Sequence, residues 1–187
     1  MKRGTAVFLA AMVVALVAGH LLRDSPGYAV RNAQGGYDGD IVHYVYWTRL
    51  VTLGGIQAAY SGTWPETYAV YPPVTLYPLQ LVGNLYRWTQ DPSFDPEVAQ
   101  ASLWLHEAIK FVALAWHLLA ALAVYAVVRR TSVGNAAGYA AALYVANPAA
   151  LYDVAHWGQP DGAHSLFSVL AIGWLAWAPI ALAALAK

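Results

Sequence analysis

The chain has no cysteine, so disulfide bonds, zinc–thiolate sites and cysteine nucleophiles are all excluded. Charge is also scarce, because only 11% of the 187 residues are Asp, Glu, Lys or Arg, whereas a soluble domain carries about a quarter. So few charges cannot cover a water-exposed surface, which favours an integral membrane protein. The ten basic residues balance the ten acidic ones. A strongly basic nucleic-acid-binding protein is therefore excluded, and we expect no nucleic-acid partner.

Four apolar stretches predict an all-α integral membrane protein with a single membrane domain over residues 1–187. A membrane-spanning helix needs about 20 apolar residues, with a range of about 17–25. The stretches that meet this requirement, the third one narrowly, cover residues 5–22, 101–128, 136–152 and 165–186. The first stretch has the basic start and apolar core of a cleaved signal peptide as well. Residues 19–23 make a poor cleavage site, however, so we expect this helix to be retained.

Basic residues at the ends of the stretches predict the orientation. They precede the first stretch and follow the second and the fourth: Lys2, Arg3, Arg129, Arg130 and Lys187. The positive-inside rule places them in the cytoplasm, together with the N-terminus. Residues 23–100 and 153–164 then lie on the outer face. We expect the membrane to be the plasma membrane of a prokaryote or the endoplasmic reticulum membrane.

The outer segment, residues 23–100, contains two predicted amphipathic helices. Apolar and aromatic residues at spacings of three and four predict one helix over residues 40–53. The second covers residues 72–88, which are apolar, aromatic and rich in proline at their start. This segment is long enough to span the membrane. That arrangement would move Arg129 and Arg130 to the outer face, so we expect the helix to lie in the interface, in contact with membrane lipid.

An acidic motif precedes the first of these helices. Asp38 and Asp40 flank a glycine, and His43 and Tyr44 follow on the helix face that begins at Asp40. A carboxylate here could deprotonate an acceptor hydroxyl, or the two aspartates could hold a divalent cation. The ordinary interpretation is that Asp40 caps the helix while Asp38 is a solvated loop residue. The residues alone favour this ordinary interpretation.

A second polar cluster lies between the third and fourth stretches and contains His156, Trp157, Gln159 and Asp161. Polar groups packed between membrane helices are costly unless they are paired or used. An ordinary turn in which Asp161 caps the following helix explains these residues equally well. Lys110, near the start of the second stretch, is open to two interpretations as well. It pairs with Glu107 or reaches the interface, or it binds a lipid phosphate.

Taken together, these motifs resemble the GT-C glycosyltransferases, above all the GPI-type mannosyltransferases and their bacterial and archaeal relatives. The features that match, in chain order, are the first acidic motif Asp38-Gly39-Asp40, the Asp40/Tyr44/Trp47 helix, Tyr71-Pro72-Pro73, Lys110, Asn147-Pro148 and Trp157-Gly158-Gln159-x-Asp161. The last motif is the most specific, and each of the others is weak alone. Their order along nearly the whole chain carries the resemblance.

The resemblance implies transfer of a hexose, preferably mannose, from a polyprenyl-phosphate donor to an acceptor hydroxyl on a glycan or glycolipid, with inversion. It implies that Asp40, or Asp38 in second place, is the general base. Trp157, Gln159 and Asp161 then line the cavity, with His43, Tyr44 and Tyr71 beside them, and Lys110 or His156 contacts the donor phosphate. We expect no required cofactor, and dependence on a divalent metal remains open.

The chain is shorter than the family pattern, whose members are typically at least twice this length. We therefore expect it to be the N-terminal part of a longer enzyme. The alternative is a non-catalytic lipid-binding or assembly subunit of the membrane, a truncated and inactive homologue that uses its outer segment as an interaction surface.

Overall fold

A computed structural model describes residues 3–23, 40–61 and 69–185, and within these ranges all regular secondary structure is helical. This confirms the all-α fold class for the described part of the chain. The α-helices are α1 (Arg3–Arg23), α2 (Ile41–Gly54), α3 (Pro73–Thr89), α4 (Pro96–Ala101), α5 (Leu103–Thr131), α6 (Ala136–Val145), α7 (Pro148–Tyr152) and α8 (Asp161–Leu185). A 3-10 helix covers Ile56–Tyr60, and a π-helix covers Asp153–Trp157.

Two of the described helices are long and apolar enough to cross a membrane, namely Arg3–Leu22 within α1 and all of α5. They correspond to the predicted spans 5–22 and 101–128. Along α1, large apolar side chains such as Val13, Val14 and Leu21 remain exposed, as expected of a helix that faces lipid. The predicted span 165–186 falls within α8 up to residue 185, the last one described.

The third predicted span, residues 136–152, is not one continuous helix, and that prediction was wrong. Helix α6 ends at Val145 after only ten residues. Pro148 lacks a backbone N–H and therefore cannot donate the hydrogen bond that would continue α6. The Oδ1 atom of Asn147 accepts hydrogen bonds from the N–H groups of Ala149 (3.0 Å) and Ala150 (3.4 Å), which starts α7 as a separate helix.

The Val145 carbonyl group, which lies at this break, receives a hydrogen bond from a side chain of α5. His117 Nε2 lies 3.1 Å from the Val145 carbonyl oxygen, and the imidazole stacks on Tyr144 at 5.0 Å between ring centroids. Since a carbonyl only accepts hydrogen bonds, the imidazole is the donor. A histidine within the apolar helix α5 thus caps the C-terminal end of α6.

Helices α2 and α3 form close to the predicted ranges 40–53 and 72–88. Gly55 ends α2 at a φ of 77°, a conformation that suits glycine, and its N–H donates to the Val51 carbonyl at 3.1 Å. The two helices pack tightly, because a Cβ added to Gly83 of α3 would lie 1.9 Å from Thr52 Oγ1. Their common face belongs to an apolar core with α4 and the start of α5.

Helix α5 is the centre of the second core, which also includes α1, α6 and α7. Gly162 of α8 packs on the backbone of His117, and Gly173 packs on Val127 further along, so α8 runs parallel to α5. Helix α1 is antiparallel to α5, because Gly19 contacts Leu114 while Phe8 stacks on Tyr125. This arrangement brings the start of α2 next to the turn that precedes α8.

Candidate active site

The carboxylate of Asp40 is oriented by a residue that is distant in the sequence. Asp40 precedes α2, yet its side chain makes no capping hydrogen bond to that helix. Instead, Gln159 Nε2 donates to Asp40 Oδ2, and the two residues are 119 positions apart. The sequence favoured a helix cap at this position, and the structure shows a long-range contact.

Two tyrosines and an aspartate form a hydrogen-bonded chain beside Asp40. The Tyr71 hydroxyl donates to Asp161 Oδ1 at 3.0 Å, and it lies 3.1 Å from the Tyr44 hydroxyl. Because Tyr71 has one hydroxyl proton and gives it to Asp161, Tyr44 is the donor to Tyr71. Burial raises the pKa of Tyr44 well above its usual range, with Tyr71 and Asp40 contributing further. Burial, with the charge of Asp161, raises the pKa of Tyr71 to about 12. Both phenols therefore stay protonated and act as donors.

His164 joins this cluster from the first turn of α8. Its ring stacks on Tyr71 at 5.3 Å between centroids, and its Nδ1 atom lies 3.8 Å from Asp161 Oδ1. Sequence reasoning missed His164. The spacing of three residues from Asp161 places both side chains on one face of a helix and could have indicated it.

The turn between the π-helix and α8 fits closely over Lys110. Gly158 has a φ of 76°, and a Cβ added there would lie 3.1 Å from Lys110 Cγ and 3.2 Å from Ile41 Cδ1. The Lys110 side chain is only 1% exposed. A glycine in the left-handed region thus lets the backbone approach both the lysine stem and the start of α2.

The π-helix presents aromatic residues next to this turn. His156 is buried and stacks on Tyr152 at 4.5 Å between ring centroids. The edge of its ring faces Trp157 at 5.6 Å. The Trp157 side chain is 41% exposed, so its ring remains accessible to a ligand.

Asp153 completes a group of three carboxyl groups. Burial, and then the negative charges of Asp161 and Asp40, raise the pKa of Asp153 to about 6. The backbone also links it to the site, because the Gln159 N–H donates to the Asp153 carbonyl at 3.3 Å. Like charges this close disfavour simultaneous ionisation. Asp153 was not among the predicted site residues, although it lies only three positions before His156.

Five of the predicted site residues come together in the structure, namely Asp40, Tyr44, Tyr71, Gln159 and Asp161. Lys110 lies against Gly158 of the same turn. His156 and Trp157 contact each other, and His156 also stacks on Tyr152. His43 is set apart from the hydrogen-bonded chain and stacks on Trp47 at 6.3 Å. Asp38 lies outside the described residues. Within residues 3–23, 40–61 and 69–185, no group of three or more His, Asp or Glu side chains is placed to hold a metal ion.

Comparison with known proteins gives no match. No protein-family model, no curated protein and no solved structure is similar to this chain. The interpretation of the site therefore rests on its residues and their geometry.

Proposed function

We propose that the chain is an integral membrane protein that forms part of an inverting glycosyltransferase of the GT-C type. The reaction moves a hexose, with mannose as first choice, from a polyprenyl phosphate to an acceptor hydroxyl on a glycan or glycolipid. The hydrogen bond from Gln159 to Asp40 carries this proposal. It joins the acidic motif to the Trp157-to-Asp161 motif, which is the most specific part of the resemblance.

In this proposal Asp40 is the general base. A carboxylate offers about four acceptor positions, so the bond from Gln159 leaves capacity for an acceptor hydroxyl. The acceptor proton passes to Asp40 as the acceptor oxygen bonds to C1 of the sugar. The bond between C1 and the phosphate oxygen breaks, and its electron pair leaves with the phosphate. Attack opposite the leaving group inverts the configuration at C1.

Lys110 or His156 would contact the donor phosphate. An ammonium group stabilises phosphate as a point charge, and a buried cation acts more strongly than one in water. The exposed ring of Trp157 would contact the sugar, while the Tyr44–Tyr71–Asp161 chain keeps that side of the site in a fixed arrangement. Base and cation suffice for this chemistry, so the proposal requires no cofactor.

The charges support an orientation with the N-terminus in the cytoplasm and the site on the outer or lumenal leaflet. Arg129 and Arg130 end α5 at the side away from Asp40. The proposed partners are accordingly membrane lipid, a lipid-linked sugar donor and a glycan or glycolipid acceptor. Transfer measured with and without EDTA will decide the metal dependence.

The test uses the complete enzyme of which, in this proposal, the chain forms the N-terminal part, reconstituted in liposomes with radiolabelled polyprenyl-phosphate mannose and a panel of octyl glycosides as acceptors. We expect Asp40→Asn to lower transfer by about 10²–10⁴-fold, the usual contribution of a general base, with donor binding within about twofold of wild type. Glu97→Gln, which neutralises an exposed carboxylate of α4, is the matched control. Wild-type transfer by Asp40→Asn would overturn the assignment of the base.

The competing function is the non-catalytic lipid-binding or assembly subunit. It predicts that the wild-type chain and Asp40→Asn bind the donor equally and that neither transfers the sugar. The same experiment therefore separates the two functions. Absence of donor binding as well would count against both the phosphate assignments and the lipid-binding alternative.

A further inference from the structure

A polar cavity lies at the opposite end of the molecule from Asp40. It has a volume of about 510 Å³ and opens between α1, α5 and α6. Its polar lining comes from Thr5, Tyr125, Arg129, Ser132 and Asn135. A second cavity, of about 380 Å³, shares Tyr125 and Arg129 with the first and adds Arg130.

The hydrogen bonds around the first cavity leave donors available to a ligand. The hydroxyls of Thr5 and Tyr125 lie 2.9 Å apart, so one of their two protons serves the mutual bond and the other remains. The Asn135 Oδ1 atom accepts from the Gly4 N–H at 2.9 Å, which leaves the side-chain NH₂ for another acceptor. The Arg129 guanidinium lies 6.0 Å from the Tyr125 ring centroid. A guanidinium, a hydroxyl and an amide NH₂ together suit an anion.

The charge around this cavity is positive and unopposed by the described part of the chain. Arg3, Arg129 and Arg130 stand at this end. The described acidic residues all lie in residues 40–107 or 153–161, at the other end: Asp40, Asp91, Asp95, Glu97, Glu107, Asp153 and Asp161. An anion here therefore gains attraction from three arginines without a competing carboxylate from those residues.

We infer that this cavity binds the phosphate of an anionic membrane phospholipid. The inference rests on the proposed membrane location and not on sugar transfer. The phosphate chemistry alone would also suit a soluble phosphate ester. The position of the cavity at the end of two long apolar helices, α1 and α5, favours the lipid.

The test counts lipids bound to the whole chain in neutral detergent by native mass spectrometry during titration with phosphatidylglycerol or phosphatidylcholine. We expect phosphatidylglycerol to bind more tightly, and Arg129→Gln to weaken it about tenfold, as for loss of one charged hydrogen bond. Thr5→Val should weaken it about threefold. Arg87→Gln, which removes the same charge from the last turn of α3, should leave the affinity unchanged.

Equal affinity of wild type and Arg129→Gln for phosphatidylglycerol would overturn the site. Equal binding of the two lipids by the wild-type chain would overturn the anionic specificity. Full competition by millimolar glycerol 3-phosphate would show a soluble phosphate ester as the occupant and overturn the lipid. None of these readouts depends on glycosyl transfer, so failure here is distinguishable from failure of the proposed enzyme activity.

Discussion

The side-chain amide of Gln159 donates a hydrogen bond to the carboxylate of Asp40, across 119 residues of sequence. This bond fixes the carboxylate from outside its own helix. It also ties the turn after the π-helix, whose Val154 belongs to the second apolar core, to the start of α2, whose Ile41 belongs to the first. The geometry of the base therefore depends on the packing of both cores.

Replacing Gln159 with leucine tests whether this contact positions the base. Hydrogen bonds to charged groups contribute about 1.5–3 kcal/mol, so we expect Gln159→Leu to lower the rate of transfer at saturating donor by about 10–100-fold. The donor affinity should change by less than threefold. Gln90→Leu, at the exposed end of α3, is the control. An unchanged rate would show that Asp40 needs no partner.

Tyr71→Phe removes both hydrogen bonds of the tyrosine chain. The buried Tyr44 hydroxyl then loses its acceptor and Asp161 loses a donor, so we expect a loss of about 1–3 kcal/mol in the free energy of unfolding. Thermal unfolding in detergent measures it. Tyr77→Phe, whose ring is exposed on α3, removes the same atom and should be neutral. Equal stability of the two variants would mean that the hydrogen bonds of Tyr71 contribute nothing to the free energy of unfolding.

The stability of the protein should depend on the ionisation of Asp153. Its pKa rises from an ordinary 3.8 to about 6 in the fold because of burial and the charges of Asp161 and Asp40. Between pH 4 and 6 the unfolded chain binds fewer protons there than the folded one, so stability falls as pH rises and the loss is complete above about pH 6.

Asp153→Asn removes this dependence. We expect the variant to be more stable than wild type above pH 6, by about 1 kcal/mol after solvent screening of a partly exposed group. The difference should vanish towards pH 4. Melting temperatures measured from pH 4 to 8 test this, and parallel curves for the two proteins would contradict it.

The close approach of α8 to α5 depends on Gly162. A Cβ at this position would lie 2.5 Å from the backbone nitrogen of His117, and backbone cannot yield as a flexible side chain does. We expect Gly162→Ala to lower the free energy of unfolding by about 1–3 kcal/mol, as for overpacking. It should lower transfer as well, because Asp161 moves with α8. Ser168→Ala, on the exposed face of α8, should do neither.

Sequence reasoning reached the parts of the fold that local patterns determine. Long apolar runs predict α1 and α5, and glycine punctuation predicts the end of α2. The same reasoning failed at Asn147 and Pro148. Apolar content alone predicted one helix that continues through Pro148. In the structure the helix breaks there, and His117 of α5 stabilises the break by a hydrogen bond to the Val145 carbonyl.

The site was only partly predictable for a related reason. The resemblance implied that Asp40 and Gln159 belong to the site. No local rule shows that Asp40 binds Gln159 instead of capping α2. His164 and Asp153 were missed because each looks ordinary in sequence. The place of His164 appears only when Tyr71, 93 positions earlier, stacks on its ring. The place of Asp153 appears only when the fold brings it near the charges of Asp161 and Asp40.

The break after α6 also has a consequence for how the chain enters a membrane. Ten helical residues reach about 15 Å, half of a hydrocarbon core. Such a segment cannot be released into lipid as an independent span, because the Val145 carbonyl at its end would lie in hydrocarbon without a donor. In the proposed membrane arrangement we therefore expect residues 136–160 to enter alongside α5, which carries His117. A substitution in α5 would then disturb the insertion of a segment that is synthesised after it.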